Sequence, residues 1–162
     1  MATISSIVAA ARGNSQRGRN VYMVEKEIDL SATTVDPSAG DVVQMISFDA
    51  GTVVLSAGAE VTEALTGAGS DCTIDLGCST VDADGFVDGF DVDAAAAGAY
   101  ATPNTAVGVT PQFLAAADTL DLTFDGTDAG IATGKIRVFA VCMDITSLGD
   151  MSANEVDRDT LA

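Results

Sequence analysis

Aspartates crowd one short segment of the chain, VDADGFVDGFDVD, which runs from Val81 to Asp93. It holds five of them, at positions 82, 84, 88, 91 and 93. Clustered carboxylates repel one another, and a bound Ca²⁺ would relieve that repulsion with the oxygen ligands that it prefers. The spacing therefore makes Asp82, Asp84 and Asp88 candidate ligands of an irregular calcium site.

The segment does not have the register of an EF-hand, which needs oxygen ligands at its first, third and fifth positions and a glutamate at its twelfth. Counted from Asp82, the fifth position is a phenylalanine, and counted from Asp84, the twelfth is an alanine. The alternative to a calcium site is an acidic loop between strands. In that loop Phe86 and Phe90 pack into the core, the aspartates stay in water, and a β-bulge or turn occurs at Gly89.

The residues that most enzymes use for catalysis are scarce. The chain has no histidine, which removes the commonest general base and a common transition-metal ligand. Only Lys26 and Lys135 are available to activate a nucleophile, and neither lies in a nucleophile motif. GIATGK, residues 130–135, is one residue too short for a phosphate-binding loop and is typical of a hairpin turn. The sequence predicts a protein that is not an enzyme and has no cofactor, with a hydrolase of unfamiliar type as a rival.

Charge is distributed unevenly along the chain, whose net charge is −17. Residues 1–24 contain three arginines, Arg12, Arg17 and Arg19, and no acid, so the rest, with four basic and 24 acidic residues, carries −20. A body this acidic repels phosphate backbones, which argues against a nucleic-acid partner. The basic segment is suited to docking onto an acidic neighbour, such as another copy of the chain.

The three cysteines predict buried free thiols in a chain made in a reducing cytoplasm. Cys72 and Cys78 lie about 20 Å apart along one predicted strand, too far for a disulfide, whereas Cys142 could in principle meet one of them across a sheet. No stretch approaches the length of a membrane span, and the start of the chain lacks a charged leader. We therefore expect neither a membrane partner nor a signal peptide.

Alternation of apolar and polar residues, which indicates a half-buried strand, recurs through the chain. It is clearest at residues 72–78 and 119–125. KIRVFAVCMDI, residues 135–145, is apolar on both faces, which is typical of a sheet centre or a subunit interface. Residues 94–117 are the least regular stretch, and a loop of that length often mediates contacts. Further short strands are predicted over residues 21–30, 42–48, 52–55, 60–65 and 106–109.

About eight short strands with turn signals between them, and no amphipathic helix, predict an all-β fold. The expected architecture is an antiparallel β-sandwich similar to a jelly roll. We expect a basic N-terminal arm over residues 1–20, extended or partly helical, because strand alternation is lacking there. The sandwich body would follow over residues 21–145, and a flexible polar tail over residues 146–162.

Five stretches of the body are informative together: NVYMVEKEIDL, GDVVQMISFDAGTVVLSAGAEV, TIDLG, GFVDGFDVDAAAAGAYA and GKIRVFAVCMDI, within residues 20–145. They resemble small virion structural proteins of tailed bacteriophages, including phages of cyanobacteria. The resemblance implies a capsid cement or decoration protein, a β-sandwich that assembles as homotrimers on the outer surface of the phage head. The matching stretches are structural and include no catalytic residue.

The resemblance implies a function at the virion surface, where the protein would bind the major capsid protein and stabilise the capsid lattice. Many modest contacts on a repeated lattice give tight attachment. The arginines of the arm would hold it against a neighbour, and Arg137 and Phe139 would form a subunit contact together with residues 94–117. The rival function is a calcium-dependent jelly-roll module that binds host glycans on a phage tail or fibre.

Overall fold

The computed structural model describes residues 3–9, 21–31, 38–67, 71–93, 95–101, 111–126 and 131–145, which contain ten β-strands and no helix. No helix in these ranges is therefore long and apolar enough to cross a membrane. The strands are β1 (Thr3–Ala9), β2 (Tyr22–Asp29), β3 (Val42–Phe48), β4 (Thr52–Thr66), β5 (Thr73–Cys78), β6 (Asp82–Asp91), β7 (Tyr100–Ala101), β8 (Gln112–Phe113), β9 (Asp118–Asp125) and β10 (Thr133–Asp144).

The strands form two sheets that pack face to face. Sheet A has the order β1-β3-β9-β5-β6, and sheet B has the order β2-β10-β4-β7, with β8 paired to β4. All described pairs are antiparallel except β1 and β3, which run parallel. The predicted all-β antiparallel sandwich is confirmed.

The core lies between the sheets and follows directly from the period of two along each strand. In β10 the even-numbered residues are buried, and the odd-numbered ones from Lys135 to Met143 are half-exposed. Each large side chain removed from water in this way contributes about 1.5–3 kcal/mol to stability. The inward residues of the two central strands are Ile136, Val138, Ala140 and Cys142 in β10 and Leu120, Leu122 and Phe124 in β9.

β4 corrects one prediction, because residues 52–66 form a single strand where the sequence predicted two. The small residues Ala57 and Gly58 indicated a break. In the structure Gly58 lies beside Phe139 of β10, and a Cβ at Gly58 would come within 2.7 Å of the phenyl ring. The glycine therefore lets the ring lie against the strand, and the strand continues through it.

β1 is a second correction, because no strand was predicted before residue 21. The segment TISSIVA has no period of two, yet its backbone pairs with β3 at the edge of sheet A, with a register shift between Ser5 and Val8. Residues 10–20, with the three arm arginines, lie outside the described residues. So do the tail over residues 146–162 and the strand predicted at 106–109.

Candidate functional site

The outer face of sheet B, turned away from the core, is the candidate interaction surface. β10 runs through its centre, paired with β2 on one side and β4 on the other. One half of this face is charged and the other half is apolar. Its residues are Met23, Glu25 and Glu27 of β2, Lys135, Arg137, Phe139, Val141 and Met143 of β10, Ser56, Gly58 and Glu60 of β4, Tyr100 of β7 and Phe113 of β8.

The charged half is an ion-pair network across three strands. The Arg137 guanidinium donates a hydrogen bond to Glu60 and lies 3.6 Å from a carboxylate oxygen of Glu25, while Lys135 Nζ lies 2.9 Å from Glu63 Oε2. Arg137 and Tyr100 each form a hydrogen bond with Glu60, and this bond raises the pKa of each of the two side chains. Arg137 is thus engaged within its own chain, and its role as a subunit contact stays a prediction.

The apolar half contains most of the exposed hydrophobic surface. Of the six large hydrophobic residues that are exposed among the described residues, five lie on this face or continue the alternation of its strands: Val21, Met23, Tyr100, Phe113 and Ile145. Strand pairing places Val141 beside Met23, and Met143 beside Val53, which in turn pairs with Phe113. We call Val21, Met23, Phe113, Val141, Met143 and Ile145 the apolar patch.

The two sheets differ in charge. The cations of the described residues, Lys26, Lys135 and Arg137, all lie on strands of sheet B, whereas no strand of sheet A contains a basic residue. The outer face of sheet A carries threonines and carboxylates, including Asp75 and Asp121. The described body therefore has one purely acidic face and one face that carries both signs.

The outer face of sheet A holds the half-buried Asp75 and the buried Asp121. Burial raises the pKa of Asp75, and Asp88 and Asp125 raise it further, against a hydrogen bond from the Gly89 N–H at 2.7 Å. Burial likewise raises the pKa of Asp121, against a hydrogen bond from the Thr119 hydroxyl. The folded protein therefore binds protons at these two sites before the unfolded chain does.

This proton binding predicts that the free energy of unfolding rises as the pH falls from 7 toward the raised pKa values. The sign follows because stability increases on acidification wherever the folded state holds more protons. Urea denaturation at pH 7 and pH 5 measures this change in the free energy of unfolding.

Asp121→Asn should raise the free energy of unfolding at pH 7 and make it depend less on pH. Asp29→Asn is the control of opposite sign, because hydrogen bonds from Ser31 lower the pKa of Asp29. A lack of any stabilisation by Asp121→Asn at pH 7 would contradict the prediction.

The aspartate-rich segment forms β6, a strand at the edge of sheet A, and not the loop that was one of the two predictions. Ile74 pairs with Phe90, Leu76 with Val87 and Cys78 with Asp82, so two steps along β5 match first three and then five steps along β6. The extra residues form two bulges: the first, in chain order, lies between Asp82 and Val87, and the second lies between Val87 and Phe90. The predicted irregularity at Gly89 is confirmed by its φ of +66°, which favours glycine.

The acidic-segment interpretation predicted rings in the core and aspartates in water, and the side chains of β6 follow it in part, because Asp88 and Asp91 are exposed whereas Asp82 and Asp84 are half-buried. Phe86 is fully buried and Phe90 is partly buried against the core. A hydrogen bond shared with Asp82 raises the pKa of Asp84. In the described ranges no three histidine, cysteine, aspartate or glutamate side chains are arranged to hold a metal ion. Calcium binding by Asp82, Asp84 and Asp88 stays a prediction.

Gln112 of β8 is a residue that the sequence analysis missed. It is fully buried, and its Nε2 donates a 3.2 Å hydrogen bond to the backbone oxygen of Asp82 in the first bulge of β6. Gly85 makes room for it, since a Cβ there would lie 2.2 Å from Nε2. The glutamine thus links sheet B to the acidic strand, a contact between residues 30 apart that no local pattern indicates.

The three cysteines are free and buried, as predicted. Burial raises the pKa of Cys72 to about 11 and that of Cys142 to about 12, and it raises the pKa of Cys78 as well. Thiols held in the protonated form are poor nucleophiles. The cysteines therefore serve as core side chains.

Comparison with known proteins finds similarity only at the level of structure. No protein-family model and no curated protein matches the chain. A chain of the cyanophage Pam1 capsid asymmetric unit superposes with a TM-score of 0.56 at 17% identity, over 76% of this chain and 84% of that one. A chain of the Ralstonia phage GP4 capsid superposes with a TM-score of 0.54 at 17% identity, over 88% of this chain and 100% of that one. The chain shares their fold.

The likeness to the GP4 chain extends over the whole of that chain. At this identity the likeness concerns the fold alone.

Proposed function

We propose that the protein is a non-enzymatic virion structural protein that binds the outer surface of a phage head and stabilises the lattice of the major capsid protein. The observation that supports this most directly is the fold shared with chains from two phage capsid structures, one of them over its full length. The absence of histidine from the whole sequence is in keeping with a role outside catalysis.

The surfaces of the body support a protein that makes several contacts at once. One face is apolar and of mixed charge, the opposite face is acidic, and the arginine-bearing segment follows β1 at an edge of sheet A. On a repeated lattice, contacts that are individually modest sum to tight attachment because each further one is intramolecular. We propose that the protein forms a homotrimer, whose subunits contact one another and the major capsid protein.

The test of this function is the position of the protein on a particle. Purified chain is added to capsids of its phage that lack it, and cryo-electron microscopy locates the added density. We expect density on the outer surface at symmetry-related sites, together with a higher temperature of capsid disruption. Density confined to the tail, or no binding, would refute the proposed function.

The arm predicts a specific loss of attachment. Replacing Arg12, Arg17 and Arg19 by glutamine should weaken capsid binding about tenfold, since three exposed ion pairs of about 0.5 kcal/mol each sum to about 1.5 kcal/mol, and about 1.4 kcal/mol corresponds to a factor of ten. Substitution is preferable to deleting residues 1–19, because deletion also removes β1 from sheet A. Binding is measured by co-sedimentation with capsids at 50 and 300 mM NaCl.

The control for the arm is Arg158→Gln, which removes one positive charge from the tail. It should bind like the unaltered chain. The triple variant should also lose most of the salt dependence of binding, because screening acts on the same ion pairs. Equal affinity and equal salt dependence in the triple variant and the unaltered chain would show that the arm does not hold the capsid.

A further inference from the structure

Most of the exposed large hydrophobic side chains in the described ranges belong to the apolar patch. Met23 is 61% exposed and Phe113 is 51% exposed, and half-buried Val141 and Met143 connect them across β10. Scattered apolar residues are normal on a soluble protein, whereas a contiguous cluster on one face marks an interaction site. Two other large hydrophobic residues are exposed in the described ranges: Tyr100, which pairs with Glu60 in the charged half of the same face, and Val81, at the turn between β5 and β6.

The charges around the patch favour a second copy of the same chain as its partner. Each copy carries −17, so two copies repel over any surface that bears carboxylates alone. The outer face of sheet B is different, because Lys135 and Arg137 lie beside Glu25, Glu60 and Glu63. These cations offset part of the negative charge of the face, so of the two outer faces this is the one over which two copies repel less, and its apolar half can exclude water.

The size of the face also fits a contact between copies. β10 has 12 residues, which at about 3.3 Å each give a length of about 40 Å. Its neighbours differ in length: β4 has 15 residues, β2 has 8, and β7 and β8 have 2 each. With strands about 4.8 Å apart, the area of the face is about 600 Å², at the lower end of the roughly 600–1,000 Å² that each partner contributes to a standard interface.

From these observations we infer that the apolar patch is the contact surface for a second copy of this chain, with the charged half of the same face as its rim. This inference rests on the proposed homotrimer and is independent of capsid attachment. It shifts the centre of the contact from Arg137, which is paired within its own chain, to Met23, Val141, Met143 and Phe113.

Sedimentation velocity of the full chain from 1 to 100 µM, at 0.15 and 1 M NaCl, tests the inference. We expect an oligomer whose affinity is kept or raised at 1 M NaCl, because salt screens the repulsion between acidic copies and strengthens apolar burial. Met23→Glu with Phe113→Glu should weaken self-association at least about a hundredfold, because each places a charge in the apolar contact. Both side chains are exposed, so circular dichroism should show an unchanged fold.

Val81→Glu with Ala83→Glu is the matched control, since it adds the same two charges at exposed positions on sheet A. It should remain oligomeric. An unaltered chain that stays monomeric at 100 µM would overturn the inference, as would a Met23/Phe113 variant that associates normally. Loss of the oligomer at 1 M NaCl would assign the contact to the arm instead.

Removal of residues 146–162, which begin next to Ile145, tests whether this tail covers the apolar patch in place of a second copy. If the shortened chain associates and the full chain does not, the tail covers the patch and the inference is wrong. Failure to bind capsids would refute the proposed function but would leave self-association, and hence this inference, intact.

Discussion

Replacing Gly77 by alanine should lower the free energy of unfolding by about 3 kcal/mol, at the upper end of what overpacking costs. Gly77 lies in β5 beneath the first bulge of β6. A Cβ there would come 2.2 Å from the backbone oxygen of Asp82 and 2.4 Å from the backbone carbon of Ala83. Backbone atoms cannot rotate away as a side-chain end does, so the bulge itself must move.

Urea denaturation of the purified variant at a fixed protein concentration measures this loss. The control is Gly40→Ala, at a turn where φ is +82° and no atom lies within 4 Å of the added carbon. That variant should lose only about 1 kcal/mol, from the left-handed backbone alone. Equal losses in the two variants would mean that the bulge does not press on Gly77.

Phe86→Ala should be the most destabilising of the simple truncations, with a loss of about 3–5 kcal/mol. The ring of Phe86 is fully buried, and it belongs to the residues that the first bulge adds to β6. Its removal leaves a cavity in the core and takes away the main anchor of the acidic strand. Because a whole domain is stable by only about 5–15 kcal/mol, this is a large fraction of the total.

Phe90→Ala is the matched control, because it deletes the same atoms from the same strand at a position that is only partly buried. Its loss should be clearly smaller than that of Phe86→Ala. Guanidinium denaturation followed by circular dichroism gives both values. If Phe90→Ala costs as much as Phe86→Ala, the two rings anchor β6 equally and the first bulge is not the main attachment.

The fold was predictable where one face of a strand is buried and the other is exposed to solvent. β2, β5, β9 and β10 alternate clearly, and the structure places these strands where the alternation does. β4 was harder to predict, since the meaning of Gly58 depends on Phe139, a residue far away in the chain. β1 pairs in parallel at a sheet edge and has no alternation from which to predict it.

The candidate site was predictable only in part. KIRVFAVCMDI is apolar on both faces, which predicted a strand at a sheet centre or at a subunit interface. In the structure this segment is β10, which lies at the sheet centre between β2 and β4. The alignment of Met23, Met143 and Phe113 depends on the strand registers, which local sequence does not encode. Gln112 was also out of reach, because its partner lies on the other sheet.

The edge formed by β6 bears on how the protein behaves when it is crowded. An exposed sheet edge is a template on which another chain can add a strand, and it is a common starting point for aggregation. Here two bulges interrupt the edge and several aspartates lie along it. Both features make a regular ladder of hydrogen bonds to a neighbouring chain costly. Molecules stored at high density should consequently not grow into fibrils by adding strands at this edge.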